Sequence, residues 1–144
     1  MRILAIDLGD ARTGIAVCDA LEMLASPVGT IAEKNPNALF HKICGIVQEQ
    51  RAQQIVLGYP KNMNDTVGDR AQKAEQFAEK LRGTTGLEVV LWDERSTTVS
   101  AHNILNATNT RGKKRKEVVD TVAATIILQS YLDYRRIQKE RETQ

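Results

Sequence analysis

The apolar positions of this chain change period along its length, and the changes mark its elements. Arg2 to Leu8 is an apolar, β-prone run, and after Gly9 to Arg12, which leave room for little but a turn, Thr13-Gly14-Ile15-Ala16-Val17-Cys18 follows. The pair predicts a hairpin. Met23 to Ile31 predicts a further strand of the same antiparallel unit, with Pro27 at a sheet edge or strand end because proline cannot donate to a ladder. From Asn35 the period becomes helical: Leu39, Ile43, Ile46 and Val47 form the apolar stripe of a helix ending near Arg51. Gln54 to Gly58 is a short buried strand. Ala71, Ala74, Phe77, Ala78 and Leu81 form a second helical stripe closed by Gly83, and Leu87 to Trp92 is another strand. A helix from about Ser96 carries Val99, Ile104 and Leu105, Asn106 to Lys116 reads as a polar, basic loop, and a last helix runs from about Glu117 through Tyr134. The charged tail, about 136–144, is expected to fray.

Hairpin-joined strands followed by strand–helix alternation imply an α/β protein with a mixed five-stranded sheet, its later strands parallel, flanked by helices. With 144 residues, 42% of them hydrophobic, and no repeat or Ser/Gly-rich linker, a single domain over 1–144 is expected. The first apolar run meets Asp7 too early for a signal peptide, and no stretch approaches the roughly 18 apolar residues of a membrane span, so a cytoplasmic protein is expected. Cys18 and Cys44 lack the spacing of a disulfide scaffold or zinc site and read as buried thiols. His41 and His102 have no local partner at metal-ligand spacing.

A net charge of +2 does not by itself point to nucleic acid, but its distribution is uneven. Arg111-Gly112-Lys113-Lys114-Arg115-Lys116 places five cations in six positions, and Arg135, Arg136, Lys139 and Arg141 add more near the end. Such runs are often solvated surface; here the run lies just before a candidate catalytic acid, which favours a phosphate-contacting patch.

Three places carry candidate chemistry. Asp7 ends a buried strand, where a carboxylate has to be paired, hydrated or metal-bound, although Asp-x-Gly is also ordinary turn chemistry. Arg12, from the turn after it, is placed to reach a phosphate oxygen or to neutralise Asp7. Asp93-Glu94-Arg95 ends a later strand; alternation groups Val89, Leu91 and Asp93 on one side and Val90, Trp92 and Glu94 on the other, and spacing alone does not choose between the acids. Asp120 shares a helical stripe with Ala124, Ile127 and Tyr131, all within about 40° of it, and an acid on an inward stripe points to a metal or to a buried arginine. Three such carboxylates suit Mg²⁺, which takes oxygen ligands and keeps several waters. Two ions roughly 4 Å apart would hydrolyse a phosphodiester without a covalent nucleophile.

Four segments in register, Asp7-Leu8-Gly9 with Arg12 and Gly14, Leu57-Gly58-Tyr59-Pro60 with Asn62, Asp93-Glu94-Arg95 with Thr97 and Thr98, and Lys113 through Asp120 with Ala123-Ala124, resemble the YqgF family over nearly the whole chain. These are the pre-16S ribosomal RNA nucleases also described as Holliday-junction-resolvase-like. The resemblance implies a ribonuclease-H-like fold and hydrolysis of phosphodiesters with Mg²⁺ or Mn²⁺. It implies Asp7, Glu94 and Asp120 as catalytic and metal-holding acids, choosing Glu94 over Asp93. Arg12 and Arg95 become candidates for phosphate contact, beside the basic run Lys113, Lys114, Arg115 and Lys116. Tyr59 and Ser96 depart from the family pattern, and neither is a metal ligand.

The leading expectation is therefore an endonuclease that trims the 5′ end of the small-subunit rRNA precursor, as monomer or homodimer. A four-way DNA junction is the rival substrate, and symmetric cuts there require a dimer. Two readings of other classes are a non-catalytic nucleic-acid-binding regulator, and an ATP-binding module, since Asp-x-Gly with Gly14 also resembles the phosphate loop of actin-like ATPases. Aromatic residues are 4% of the chain, which favours recognition of backbone and shape over unstacked bases.

Overall fold

Runs of apolar, β-branched residues too short for a helix form five strands: β1 (Ile3–Leu8), β2 (Thr13–Cys18), β3 (Ala25–Ile31), β4 (Gln54–Tyr59) and β5 (Glu88–Asp93). The segments of helical period form α1 (Pro36–Glu49), α2 (Asp69–Thr85) and α3 (Gly112–Glu142). The computed structural model describes residues 1–9, 12–59, 69–93 and 112–142, with backbone alone at 59, 69–70, 93, 112–121 and 142. The expected helix from Ser96 lies outside the described residues.

The strands make one mixed sheet in the order β3-β2-β1-β4-β5. β1–β2 and β2–β3 pair antiparallel, β1–β4 and β4–β5 parallel. Central β1 and β4 are covered on both faces, which is why Ile3-Leu4-Ala5-Ile6 and Ile55-Val56-Leu57 read as continuous apolar runs and are fully buried. β3 is an edge strand, and Pro27 is tolerated there as expected; the ladder shifts register beside it, between Ile15 and Ala16 of β2.

Strand alternation divides the core in two. Leu4, Ile6, Ile15, Ile55, Leu57 and Val89 pack under α1 and α2 through Leu39, Phe40, Ile43, Ala74 and Leu81. Ile3, Ala5, Ala16, Cys18 and Val56 pack under Ala124, Ile127, Leu128, Tyr131 and Leu132 of α3. Across that second interface the Tyr131 hydroxyl donates to Gln54 Oε1 at 3.1 Å, satisfying a buried amide oxygen.

Several strand ends shift by one residue, and larger differences from the sequence expectation have local reasons. β3 starts at Ala25, not Met23, because the Asp19 carboxylate accepts the N–H groups of Met23 (2.8 Å) and Leu24 (3.2 Å) in a turn that leaves both side chains exposed. α2 runs through Gly83 and closes at Gly86, whose φ of +72° turns the chain into β5 while its N–H caps Arg82 O at 3.0 Å. α3 begins at Gly112, so Lys113, Lys114, Arg115 and Lys116 are helical, not loop; Lys and Arg are strong helix formers. At its other end α3 continues past Tyr134 to Glu142. Arg135 and Lys139 anchor this stretch on Glu22 at 2.6 Å and 3.4 Å.

Candidate active site

Asp7 is the fifth residue of β1 and is half-buried. Its parity is that of Ile3 and Ala5, so it lies on the face of the sheet that α3 covers. Its partner across the antiparallel ladder is Gly14. On the parallel side Ile6 pairs with Leu57, and the next residue of β4 is Gly58. Neither flanking strand therefore carries a side chain beside Asp7. Glycine at both ladder positions leaves the backbone there open to close approach by a ligand.

The turn after β1 brings Arg12 to the same end of the sheet. A Cβ on Gly9 would lie 2.2 Å from the carbonyl oxygen of Arg12, a separation that only glycine permits. Arg12 is half-buried at the entrance to β2.

α3 approaches this face from below. Ala124 and Ile127 are fully buried and Tyr131 nearly so, so the stripe predicted to include Asp120 is the one packed on the sheet. Asp120 itself lies on α3 one turn before Ala124, with its backbone described. On β5, Val90 and Trp92 face α3 while Val89 and Leu91 face α1 and α2, the alternation expected from the sequence. Trp92 packs edge-on against Tyr131 at 5.3 Å between ring centroids. Glu94 and Arg95 lie outside the described residues, as does the side chain of Asp120. Among the described residues no three His, Cys, Asp or Glu side chains gather as a metal site.

The basic run Lys113 to Lys116 occupies the start of α3, whose first turn carries no acidic residue. Cations there oppose the positive end of the helix dipole, so the same turns carry two sources of positive potential. Cys18 is a buried thiol whose Sγ accepts the Ile3 N–H at 3.2 Å, and burial raises its pKa. Cys44 is half-buried in α1, not fully buried as the sequence suggested. His41 is exposed on α1, and His102 lies outside the described residues.

One charged cluster is not apparent from sequence spacing. Glu22, in the turn between β2 and β3, accepts from Arg135 Nε at 2.6 Å and from the amino terminus at 3.1 Å. Burial alone would raise its pKa; the hydrogen bonds and charges of Arg135 and the amino terminus outweigh it and hold the carboxyl at about 2. The cluster fastens the far end of α3 and stands apart from Asp7. No helix among the described residues is long and apolar enough to cross a membrane.

Comparison with known proteins agrees on family and fold. Residues 1–134 match the model of a family described as RuvX, Holliday junction resolvase. The chain is 47% identical over 137 residues to a candidate pre-16S rRNA nuclease of Agathobacter rectalis, covering 93% of this chain and 96% of that protein. A protein of the same description from Geobacillus thermodenitrificans is 46% identical over 138 residues, covering 94% and 100%. Among solved structures, the RuvC of T. thermophilus in complex with a Holliday junction superposes with a TM-score of 0.60 at 13% identity, over 94% of this chain and 96% of that one. The Fowlpox virus resolvase bound to junction DNA gives 0.59 at 11% identity, over 93% and 98%. At these identities the likeness concerns the fold, which is ribonuclease-H-like.

Proposed function

Because the chain belongs to the RuvX family, which is a family of nucleases, we propose that it is a metal-dependent endonuclease that hydrolyses phosphodiester bonds with Asp7, Glu94 and Asp120 as its acids. The observation that carries this reading is the half-buried Asp7, flanked by Gly14 and the Gly58 position, on the sheet face covered by the helix that bears Asp120. Glu94 has the sequence parity of Val90 and Trp92, which face that helix.

A carboxylate trio of this kind fits Mg²⁺ or Mn²⁺, since both are hard ions that take oxygen ligands. The bound cation supplies Lewis acidity toward the phosphodiester, and no protein nucleophile is needed. The residues of the chain do the rest. Asp7, in a rigid central strand, fixes the position of the site; Arg12 and Arg95 bind phosphate oxygens; and Lys113, Lys114, Arg115 and Lys116, at the positive end of α3, attract the strand.

The substrate we assign is the 5′ end of the small-subunit rRNA precursor, cut in the cytoplasm, on the strength of relatives nearly half identical over almost their whole length. Purified protein should cleave precursor RNA with Mg²⁺ or Mn²⁺, and Asp7→Asn should lower the rate by at least about a hundredfold. Metal-dependent cleavage that survives this change would remove Asp7 from the site.

The family description favours a second substrate, the four-way DNA junction. Cleavage of junction DNA and precursor RNA compared at equal salt separates the two, because phosphate binding alone is salt-sensitive and unspecific. Paired symmetric cuts would require a homodimer; a monomer suffices for RNA trimming.

A further inference from the structure

On the opposite face of the sheet from Asp7, a cavity of about 410 Å³ opens between α1 and α2 at the end of β1. Its volume lies within the roughly 300–1,000 Å³ of small-molecule sites. Leu8, Leu39, Phe40 and Phe77 form its apolar lining, the two rings meeting edge to face at 5.7 Å. The mouth is cationic, with Lys34, Lys73 and Lys80 around it. Lys73, Phe77 and Lys80 recur at i, i+4 and i+7 on α2, so one helix face supplies both the wall and two of the charges.

Among the described residues these charges are not balanced locally. Glu33, the carboxylate at the mouth, is bound to Lys42 at 3.0 Å. Lys80 lies over the Phe40 ring at 4.5 Å and donates to Asn37 Oδ1 at 3.4 Å, contacts that position its ammonium without neutralising it. Among the described residues the ammonium groups of Lys34 and Lys73 have no carboxylate partner. Three cations at the mouth of one apolar cavity suit a dianion attached to a flat apolar body. A phosphate carries close to two charges at neutral pH, against one for a carboxylate. The half-buried Phe77 ring, held by Phe40 behind it, suits a planar base better than an alkyl chain.

We propose that this cavity is a second ligand site that takes a nucleoside monophosphate, its base against Phe77 and its phosphate on Lys34, Lys73 and Lys80. The site is separated from the proposed cleavage centre by the thickness of the sheet, because Leu8 and Asp7 are consecutive residues of β1 on opposite faces.

Calorimetric titration of the full chain with AMP tests this, with inorganic phosphate and octanoate as separate arms. One AMP should bind per chain, at least about tenfold more tightly than either control. Lys34→Ala with Lys73→Ala should weaken AMP binding by at least about tenfold, with unchanged thermal unfolding because both side chains are exposed; Lys73→Gln alone is the fallback if the double variant folds poorly. Asp7→Asn should leave AMP affinity unchanged, whatever it does to cleavage. No AMP binding at millimolar concentration, AMP binding no tighter than phosphate or weaker than octanoate, or insensitivity to the lysine changes would each overturn the proposal. Loss of AMP binding in Asp7→Asn would overturn it too, by moving the nucleotide to the other face.

Discussion

Glu22 and Arg51 are non-glycine residues that hold positive φ angles, 56° and 53°, and they do so for different reasons. Arg51 follows the cap of α1, where its N–H bonds to Gln48 O and the N–H of Ala52 bonds to Val47 O, both at 3.1 Å. That pair of bonds is the Schellman arrangement, and it demands a left-handed residue where this chain has an exposed arginine. Glycine would adopt the angle without the Cβ clash, so Arg51→Gly is expected to raise stability by about 1 kcal/mol in urea unfolding, with an unchanged m-value. A loss of stability would mean that the arginine side chain contributes more than the strain it imposes. Glu22 instead closes a turn, its N–H bonded to Asp19 O at 3.1 Å. Asp7, by contrast, is in ordinary strand geometry, and what sets it apart is a glycine at the neighbouring position of each flanking strand.

At the scale of elements, α3 combines opposed requirements. Its buried stripe of Ala124, Ile127, Leu128 and Leu132 holds the sheet, while its first turns carry cations where the helix dipole is already positive. Replacing Lys113, Lys114 and Lys116 by alanine is therefore expected to leave stability unchanged or raise it by a few tenths of a kcal/mol for each residue. The same triple change should weaken RNA binding and lower the slope of log K against log salt by about two units, since each lost phosphate contact removes roughly 0.7–0.9. An unaltered salt slope would show that these turns do not meet the strand.

At the scale of the whole molecule, Glu22 joins the turn between β2 and β3, the amino terminus and the far end of α3. Its carboxyl is held at about 2 in the folded protein against an ordinary 4.5. A depressed carboxylate stabilises the folded state fully above its unfolded pKa, and this contribution falls away between pH 4.5 and pH 2 as the group protonates. Glu22→Gln should therefore lower stability by about 1–3 kcal/mol at neutral pH. The difference from the parent should shrink below pH 4.5 and vanish near pH 2. A penalty that does not depend on pH would assign the loss to packing.

Local pattern by itself determined much of this protein. The bounds of β2, the stripe of α1 and the inward stripe of α3 follow from periods of two and 3.6, because alternation between water and core is written into consecutive residues. Four short motifs in register also identified the family. Where the pattern misled, a contact absent from the local sequence decided: the Asp19 carboxylate delays β3, and Gly86 rather than Gly83 ends α2. Tertiary structure alone decided the strand order, the assignment of α3 to one face and of α1 and α2 to the other, and hence that Asp7 shares a face with the helix of Asp120 while Leu8 opens on a lysine-rimmed cavity. Periodicity records that a side chain is buried but not what buries it, and the partners of β1 and α3 are set by packing between residues far apart in the chain.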